Sequence, residues 1–369
     1  MNTISELSFS DFEKNSKYAW SQKLKEELRQ SGKEFLKQET GTEPEPFYTL
    51  EDMDAKTTFA HTQFLRSPLH SWLLDEQLFF NDGVLAKAEK AALAGADGIS
   101  VIITQALSSE EINTIGKINS SSKFINFCFD SDVEIPQLLF KGNHCGALRI
   151  NNKKAWPSDS TLEQLCGLLK TNDSNYRFVS ITSSWHTHGD MATELSMTLA
   201  LAIEYINYFT DRGISISAAL KAIEFSFTTG KSFLMEITKL RAFRLLWNRV
   251  IEAYAVNPEE ANTPFYCTTS LELAYSPENA IRLSVEAMAA ILGGCNSLTI
   301  TPFTNDQTDF PKRISRNIAL LLREESYLDK VIDPLGGSYY IEKITSMLAE
   351  KTWSMLRYIE NKGGYLKNV

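Results

Sequence analysis

The chain has no apolar stretch near the roughly 20 residues that a bilayer span needs. Its first residues, MNTISELSFSDFEKNSKYAW, lack the basic-then-apolar pattern of a secretory signal. Basic charge is in short supply: 37 Lys and Arg stand against 46 Asp and Glu, a net −9. Nucleic acid and anionic bilayers are therefore not expected partners, and any anionic ligand needs a local basic patch. Cysteine is scarce and scattered. Cys128, Cys145, Cys166, Cys267 and Cys295 form no C-x-x-C pair. They read as reduced core residues of a cytoplasmic protein with no structural metal. No G-x-G-x-x-G follows an early strand, and P-loop, G-x-S-x-G and H-E-x-x-H motifs are missing too. Dinucleotide binding, nucleotide hydrolysis, serine hydrolysis and zinc proteolysis thus lose their usual signals.

What is present is alternation. From about residue 84, short β-rich runs trade places with helical patterns. The runs are ISVIIT (99–104), KFINFCF (123–129), GALRI (146–150), RFVSITS (177–183), AIEFSFTT (222–229), PFYCTT (264–269), SLTITP (297–302) and YLDKVID (327–333). Eight such units over this length predict an α/β fold, a (β/α)8 TIM-type barrel. Residues 1–60 differ. WSQKLKEELRQSGKEFLKQE places Trp20, Leu24, Leu28 and Phe35 near helical spacing, and TGTEPEPFYTLEDM follows as an extended segment. This predicts an N-terminal helical and extended arm, either surface structure or a docking element, ahead of a barrel over 61–369. One barrel helix, KSFLMEITKLRAFRLLWNRVIEAY, carries Lys239, Arg241, Arg244 and Arg249. They read as a solvated face, with a subunit interface as the alternative.

Barrel chemistry gathers where the loops leave the C-terminal ends of the strands. After RFVSITS comes SSWHTHGD, with His186 and His188 as candidate acid–base groups or ligands. An H-x-H pair without a third ligand is a weak metal signal. After PFYCTT, the hydroxyls of Thr268, Thr269 and Ser270 are candidate hydrogen-bond donors, and after SLTITP stand Asn305, Asp306 and Asp309. DPLGGSYYIE, residues 333–342, reads as a βα turn whose Gly336 and Gly337 either hold a ligand or turn the chain. The residues alone thus give a barrel with a polar mouth and no decided task.

Four longer stretches carry a resemblance: FLMEITKLRAFRLLW (233–247), SVEAMAAILGGCNSL (284–298), RISRNIALLLREES (313–326) and VIDPLGGSYYIE (331–342). In order and spacing they resemble the substrate barrel of the cobalamin-dependent acyl-CoA mutases, specifically methylmalonyl-CoA mutase, from about 176 to 365. Trp20 ahead of KLKEEL, then EPFYTLEDM (45–53), is similar to the arm of that enzyme's small subunits. The resemblance implies interconversion of (R)-methylmalonyl-CoA and succinyl-CoA, with adenosylcobalamin supplying a radical inside a closed barrel.

Departures from the family pattern shape the expectation. No His here stands two residues after an Asp, so the family's cobalt-ligating D-x-H-x-x-G is missing, and a C-terminal cobalamin domain is expected to be absent from this chain. The family's Trp-Ile-Arg-Gln-Tyr stretch, which touches substrate before the first strand, has its nearest counterpart in Trp72 of SWLLDEQLFF, where Asp75, Glu76 and Gln77 bring no Arg or Tyr. A family Gly-Tyr-His loop becomes Ser184-Trp185-His186. Arg-x-Ser-Gly-Trp gives way to Cys267-Thr268-Thr269-Ser270-Leu271, and a His gives way to Thr299. The expected protein is therefore the small, non-catalytic subunit of a heterodimeric mutase. Adenosylcobalamin is expected on the large subunit and not on this chain, with a homodimer as a state open to the isolated chain. Vestigial catalytic candidates are His186 and His188. Vestigial barrel-mouth substrate candidates are Trp72, Ser184, Trp185, Thr268, Thr269, Ser270, Gly336 and Gly337. One alternative is a catalytic barrel whose cobalamin domain sits on another chain. Another is an unrelated lyase or aldolase using His186 or His188.

Overall fold

The computed structural model describes residues 15–32, 48–53, 72–81, 83–118, 124–130, 133–140, 145–151, 156–171, 175–183, 190–270, 276, 278–304 and 309–368. Nine parallel strand segments form the sheet: β1 (Leu73–Phe79), β2 (Gly98–Ile103), β3 (Phe124–Asp130), β4 (Cys145–Asn151), β5 (Asn175–Arg177), β6 (Val179–Thr182), β7 (Ile223–Thr229), β8 (Phe265–Thr269) and β9 (Ser297–Thr299). Their order is β5-β4-β3-β2-β1-β9-β8-β7-β6. Only Phe178 separates β5 from β6, so one nearly continuous strand pairs with β4 at its start and with β7 at its end. That shared strand closes the ring. The expected α/β TIM-type barrel is what the chain forms.

The helices are α1 (Lys17–Gln30), α2 (Val84–Leu93), α3 (Ser109–Ile118), α4 (Asp159–Thr171), α5 (Met191–Thr210), α6 (Ile216–Lys221), α7 (Phe233–Ala253), α8 (Pro258–Ala261), α9 (Asn279–Leu292), α10 (Asp309–Glu324) and α11 (Tyr339–Asn361). An aromatic cluster joins β7, β8 and α7. There the Phe225 ring meets Phe243, Trp247 and Phe265 edge-on at 4.6, 4.8 and 5.8 Å. Such pairs add to the burial of large rings, here 0–1% exposed. Close approach also shapes the sheet. A Cβ on Gly146 of β4 would stand 1.7 Å from the Ile125 carbonyl oxygen, so only glycine lets β4 lie this near β3.

Two strand expectations need correction. The first barrel strand is β1, in WLLDEQLFF, a stretch read as preceding the strands. Its two acids disguised it, because inside a barrel Asp75 can be paired on the inner face while Glu76 pairs with α10 on the outer one. Conversely, 327–333 holds no strand. Its apolar pair is Val331 and Ile332, 54% and 36% exposed, and the segment is a run of turns between α10 and α11. DPLGGSYYIE is thus a helix–helix connection rather than a βα turn. α10 is the helix that follows the eighth strand of the ring, and it is tied to β1 by the bidentate Arg316–Glu76 pair. α11 is an additional helix packed on α5 and α7.

Of the four basic residues of α7 read as a solvated face, Arg249 is exposed and the other three are not. Lys239, Arg241 and Arg244 are 1%, 2% and 8% exposed. Arg241 reaches Asp333 at 2.5 Å and Glu342 at 2.8 Å, which moors the DPLGGSYYIE connection to α7. Gly337 makes the turn possible with φ +86°, and its N–H donates to the same Glu342 carboxylate. Of the arm, α1 buries none of its residues. Lys17 pairs with Asp52, and Tyr48 lies against Tyr340 of α11 with centroids 5.8 Å apart.

Candidate functional site

The inner face of a barrel strand is ordinarily apolar. Here every part of the ring places a polar side chain inside: Asp75 from β1, Ser100 from β2, Asn126 from β3, Arg149 from β4, Ser180 from β6, Glu224 from β7, Tyr266 from β8 and Thr299 from β9. Arg149 is the hub. Its Nε and Nη2 donate to the two Glu224 oxygens at 2.8 and 3.2 Å, and its Nη1 reaches Ser100 at 3.0 Å and Asp75 at 3.4 Å. The guanidinium lies flat over the Tyr266 ring, 3.4 Å from its centroid. Ser100 and Thr299 hydroxyls donate to Asp75 Oδ2 at 2.5 and 3.0 Å, Tyr266 donates to Thr299, and Ser180 donates to Glu224.

Burial decides the electrostatics. Asp75 is 2% exposed, and desolvation raises its pKa even against the Coulombic pull of Arg149. Desolvation works against the Arg149 charge too, but Glu224, Tyr266 and Asp75 together outweigh it and hold Arg149 well above its usual value. The Cys128 thiol, beside the same cluster, is pushed up to about 11 by burial and is not a thiolate at neutral pH. Arg149 bridges two carboxylates, so the cluster is tightly self-satisfied apart from Asp75 Oδ1, which has no partner among the described residues. It forms a polar plug across the barrel axis.

Below the plug, at the N-terminal ends of the strands, lies a cavity of about 780 Å³ whose walls include Asn126, Tyr176, Arg177, Lys221 and Glu224. Above it, toward the mouth, Lys239 is enclosed by Glu236 at 2.6 Å, Glu194 at 3.6 Å and the Thr228 carbonyl at 3.2 Å. Burial alone would lower the Lys239 pKa, but the two acids raise it, so the ammonium is retained.

The sequence candidates fall into separate places. Ser184, Trp185, His186 and His188 lie outside the described residues, as do Asn305 and Asp306. Thr268, Thr269 and Ser270 do stand at the mouth, each engaged by the protein. Thr268 meets Thr228 at 3.4 Å, Thr269 meets Thr301 at 2.7 Å, and Ser270 donates to Glu286 through both N–H and hydroxyl at 2.7 and 3.0 Å. Trp72 is fully buried just before β1, at the end opposite the mouth, with the Arg323 guanidinium 5.9 Å from its ring. Gly336 and Gly337 sit in the α10–α11 connection beside Arg241. Most of the plug was missed by sequence reasoning. Its signal was a lone polar residue inside each apolar run, as in GALRIN and AIEFSF. Among the described residues, no group of three or more His, Cys, Asp or Glu could hold a metal.

The family profile for methylmalonyl-CoA mutase matches residues 155–369. The chain belongs to the methylmalonyl-CoA mutase family. A methylmalonyl-CoA mutase of Rhizobium meliloti (strain 1021) is 36% identical over 234 residues, covering 60% of this chain and 33% of that protein. In Porphyromonas gingivalis (strain ATCC BAA-308 / W83), a methylmalonyl-CoA mutase small subunit is 38% identical over 180 residues, 47% of this chain and 29% of that one. The large subunit from the same organism is 32% identical over 232 residues, 60% of this chain and 32% of that one. The matches span about a third of the length of these relatives. Among solved structures, a dihydropteroate synthase of Thermus thermophilus aligns over 71% of this chain and 95% of its own, with TM-score 0.38 and 13% identity, a likeness that carries no argument. The mutase family is an isomerase family dependent on cobalamin, and no described helix of this chain is long and apolar enough to cross a membrane.

Proposed function

We propose that this chain is the small, catalytically silent subunit of a heterodimeric methylmalonyl-CoA mutase that interconverts (R)-methylmalonyl-CoA and succinyl-CoA in the cytoplasm. Its barrel is a scaffold for the large subunit, and its arm is a docking element. The observation that carries this reading is the plug. A catalytic barrel of this kind encloses an acyl-CoA ester, whereas here Arg149, Glu224, Asp75 and Tyr266 fill the axis with a buried, ion-paired cluster. Admitting an acyl chain there would uncouple a buried ion pair, which is strongly unfavourable.

Adenosylcobalamin, when bound by the large subunit, supplies the radical for the rearrangement. This chain does not fit that group. None of its five histidines follows an Asp at the ligand spacing. In this reading Ser184, Trp185, His186 and His188, together with the mouth residues Thr268, Thr269 and Ser270, are vestiges. Trp72, Gly336 and Gly337 serve the fold.

The test uses the chain alone and mixed with a large subunit from the same source, followed by light scattering and by turnover of methylmalonyl-CoA with adenosylcobalamin. A 1:1 complex with turnover only in the mixture, unchanged by His186→Ala and His188→Ala in this chain, is the expected result. An obligate interface of this kind buries roughly 2,000 Å² or more, so the complex should survive dilution. Turnover by this chain with only a cobalamin-binding domain added would overturn the reading and make its own barrel catalytic.

A further inference from the structure

The seam where the first and last barrel helices meet holds a second cavity, of about 410 Å³, outside the ring and away from the plug. Its size falls within the ~300–1,000 Å³ of small-molecule sites. In a chain of net charge −9, this cavity is basic: among its described lining residues, Lys87 and Lys90 of α2 and Lys312, Arg313 and Arg316 of α10 face only Glu76 and Asp309. Glu76 is committed to Arg316 through two hydrogen bonds at 2.7 and 3.0 Å. Asp309 pairs with Lys90, but that pair is 77% and 67% exposed, and solvent screens it so well that either partner is readily released. Lys87 donates to the neutral Asn81 amide oxygen at 3.2 Å, a contact that leaves its charge uncompensated. Lys87, Lys312 and Arg313 thus leave a positive surplus at the wall, and α10 begins here, which adds the positive end of a 16-residue helix.

Two aromatic rings frame the same cavity. Phe79 at the end of β1 is 58% exposed and Phe310 at the start of α10 is 51% exposed, so both rings show apolar surface at the wall of this one cavity. Phe310 is held edge-on by Phe303, with centroids 6.2 Å apart, and the Arg313 guanidinium lies 5.6 Å from its ring. Cations alone would suit any anion. Cations beside exposed flat rings suit a ligand that carries a planar base as well as phosphate, because a base stacks on a ring whatever its sequence identity while the ammonium and guanidinium groups take the phosphates.

We propose that this seam between α2 and α10 binds a nucleoside di- or triphosphate, with the phosphates on Lys87, Lys312 and Arg313 and the base against Phe310 and Phe79. The site is distinct from the barrel axis and does not depend on whether the barrel is silent.

The test is calorimetric titration of the full chain with ADP, pyrophosphate and adenosine. ADP should bind saturably and more tightly than either fragment. Lys312→Ala with Arg313→Ala should weaken ADP at least tenfold, as should the milder Lys312→Gln with Arg313→Gln if the alanine pair fails to fold. Phe310→Ala should weaken ADP while leaving pyrophosphate unchanged. Absence of saturable ADP binding overturns the proposal. So does ADP binding that is lost in Lys221→Ala, on the wall of the other cavity, yet indifferent to Lys312 and Arg313. Pyrophosphate binding equal to that of ADP and indifferent to Phe310 would overturn the nucleoside part and leave a plain anion site.

Discussion

The helix layer over β2–β4 and the helix layer over β6–β9 cover one barrel by different means. α2 and α3 are 10 residues each, and their buried residues are Val, Ala and Ile. α4 buries Thr161, three leucines and Cys166, and no charge. α5 and α7 are 20 and 21 residues long and bury Glu194, Glu236, Lys239, Arg241 and Arg244, while α9 buries Glu286 and α11 buries Glu342. Apolar contacts between helices tolerate substitution when volume is kept, whereas a buried charge binds its partners to one arrangement. The mutase profile matches from residue 155 onward, a range that takes in the apolar α4 as well as the helices with the buried charges.

That contrast can be broken experimentally, and the largest effect is expected at Arg241. Arg241→Ala leaves Asp333 and Glu342 buried without their cation, and should cost about 3–5 kcal/mol in urea unfolding. A loss under about 1 kcal/mol would mean that the charged side is no more committed than the other.

The plug gives a pH-dependent comparison. Burial raises the Asp75 pKa, so the folded chain takes up that proton more readily than the unfolded one. The stability this contributes is full below the unfolded carboxylate value of about 3.9 and is lost as pH rises through the raised folded value. Asp75→Asn should remove that loss. The variant should therefore gain on the native chain as unfolding midpoints are compared from about pH 4 up to about pH 7, and a difference that does not change with pH would contradict the assignment.

On the apolar side, Ile115→Val in α3 should cost only about 0.5–1.5 kcal/mol in the same unfolding assay, the loss of one methylene from a core that can relax. Least of all, Lys90→Ala at the exposed Asp309 pair should leave the unfolding midpoint unchanged.

The sequence announced the barrel through its alternation, and seven of the eight expected β-rich runs are strands. The two errors share one cause. Apolarity was taken as the mark of a strand, yet LLDEQLF is a strand because Asp75 and Glu76 find partners on opposite faces, and Val331-Ile332 is not one although it is apolar. Arg149 and Glu224 were legible only as oddities inside apolar runs, since the partner that explains each lies 75 residues away. For the same reason α7 looked like a wet basic face until Asp333 and Glu342 came to meet it. Hydroxyls at the mouth were correctly located by the rule for strand ends, but pattern alone could not reveal that Glu286 and Thr301 already occupy them.

The Arg149–Glu224 bond also bears on how the chain emerges during synthesis. A nascent chain that has reached the end of α4 carries Arg149, Asp75 and Ser100 but not Glu224, Tyr266 or Thr299. That partial barrel would have to bury an arginine that has no bidentate acceptor, or leave its inner face in water. Closure is thus postponed until β7, β8 and β9 arrive, and the ring should assemble as one late, cooperative event, at the slow pace of contacts far apart in sequence.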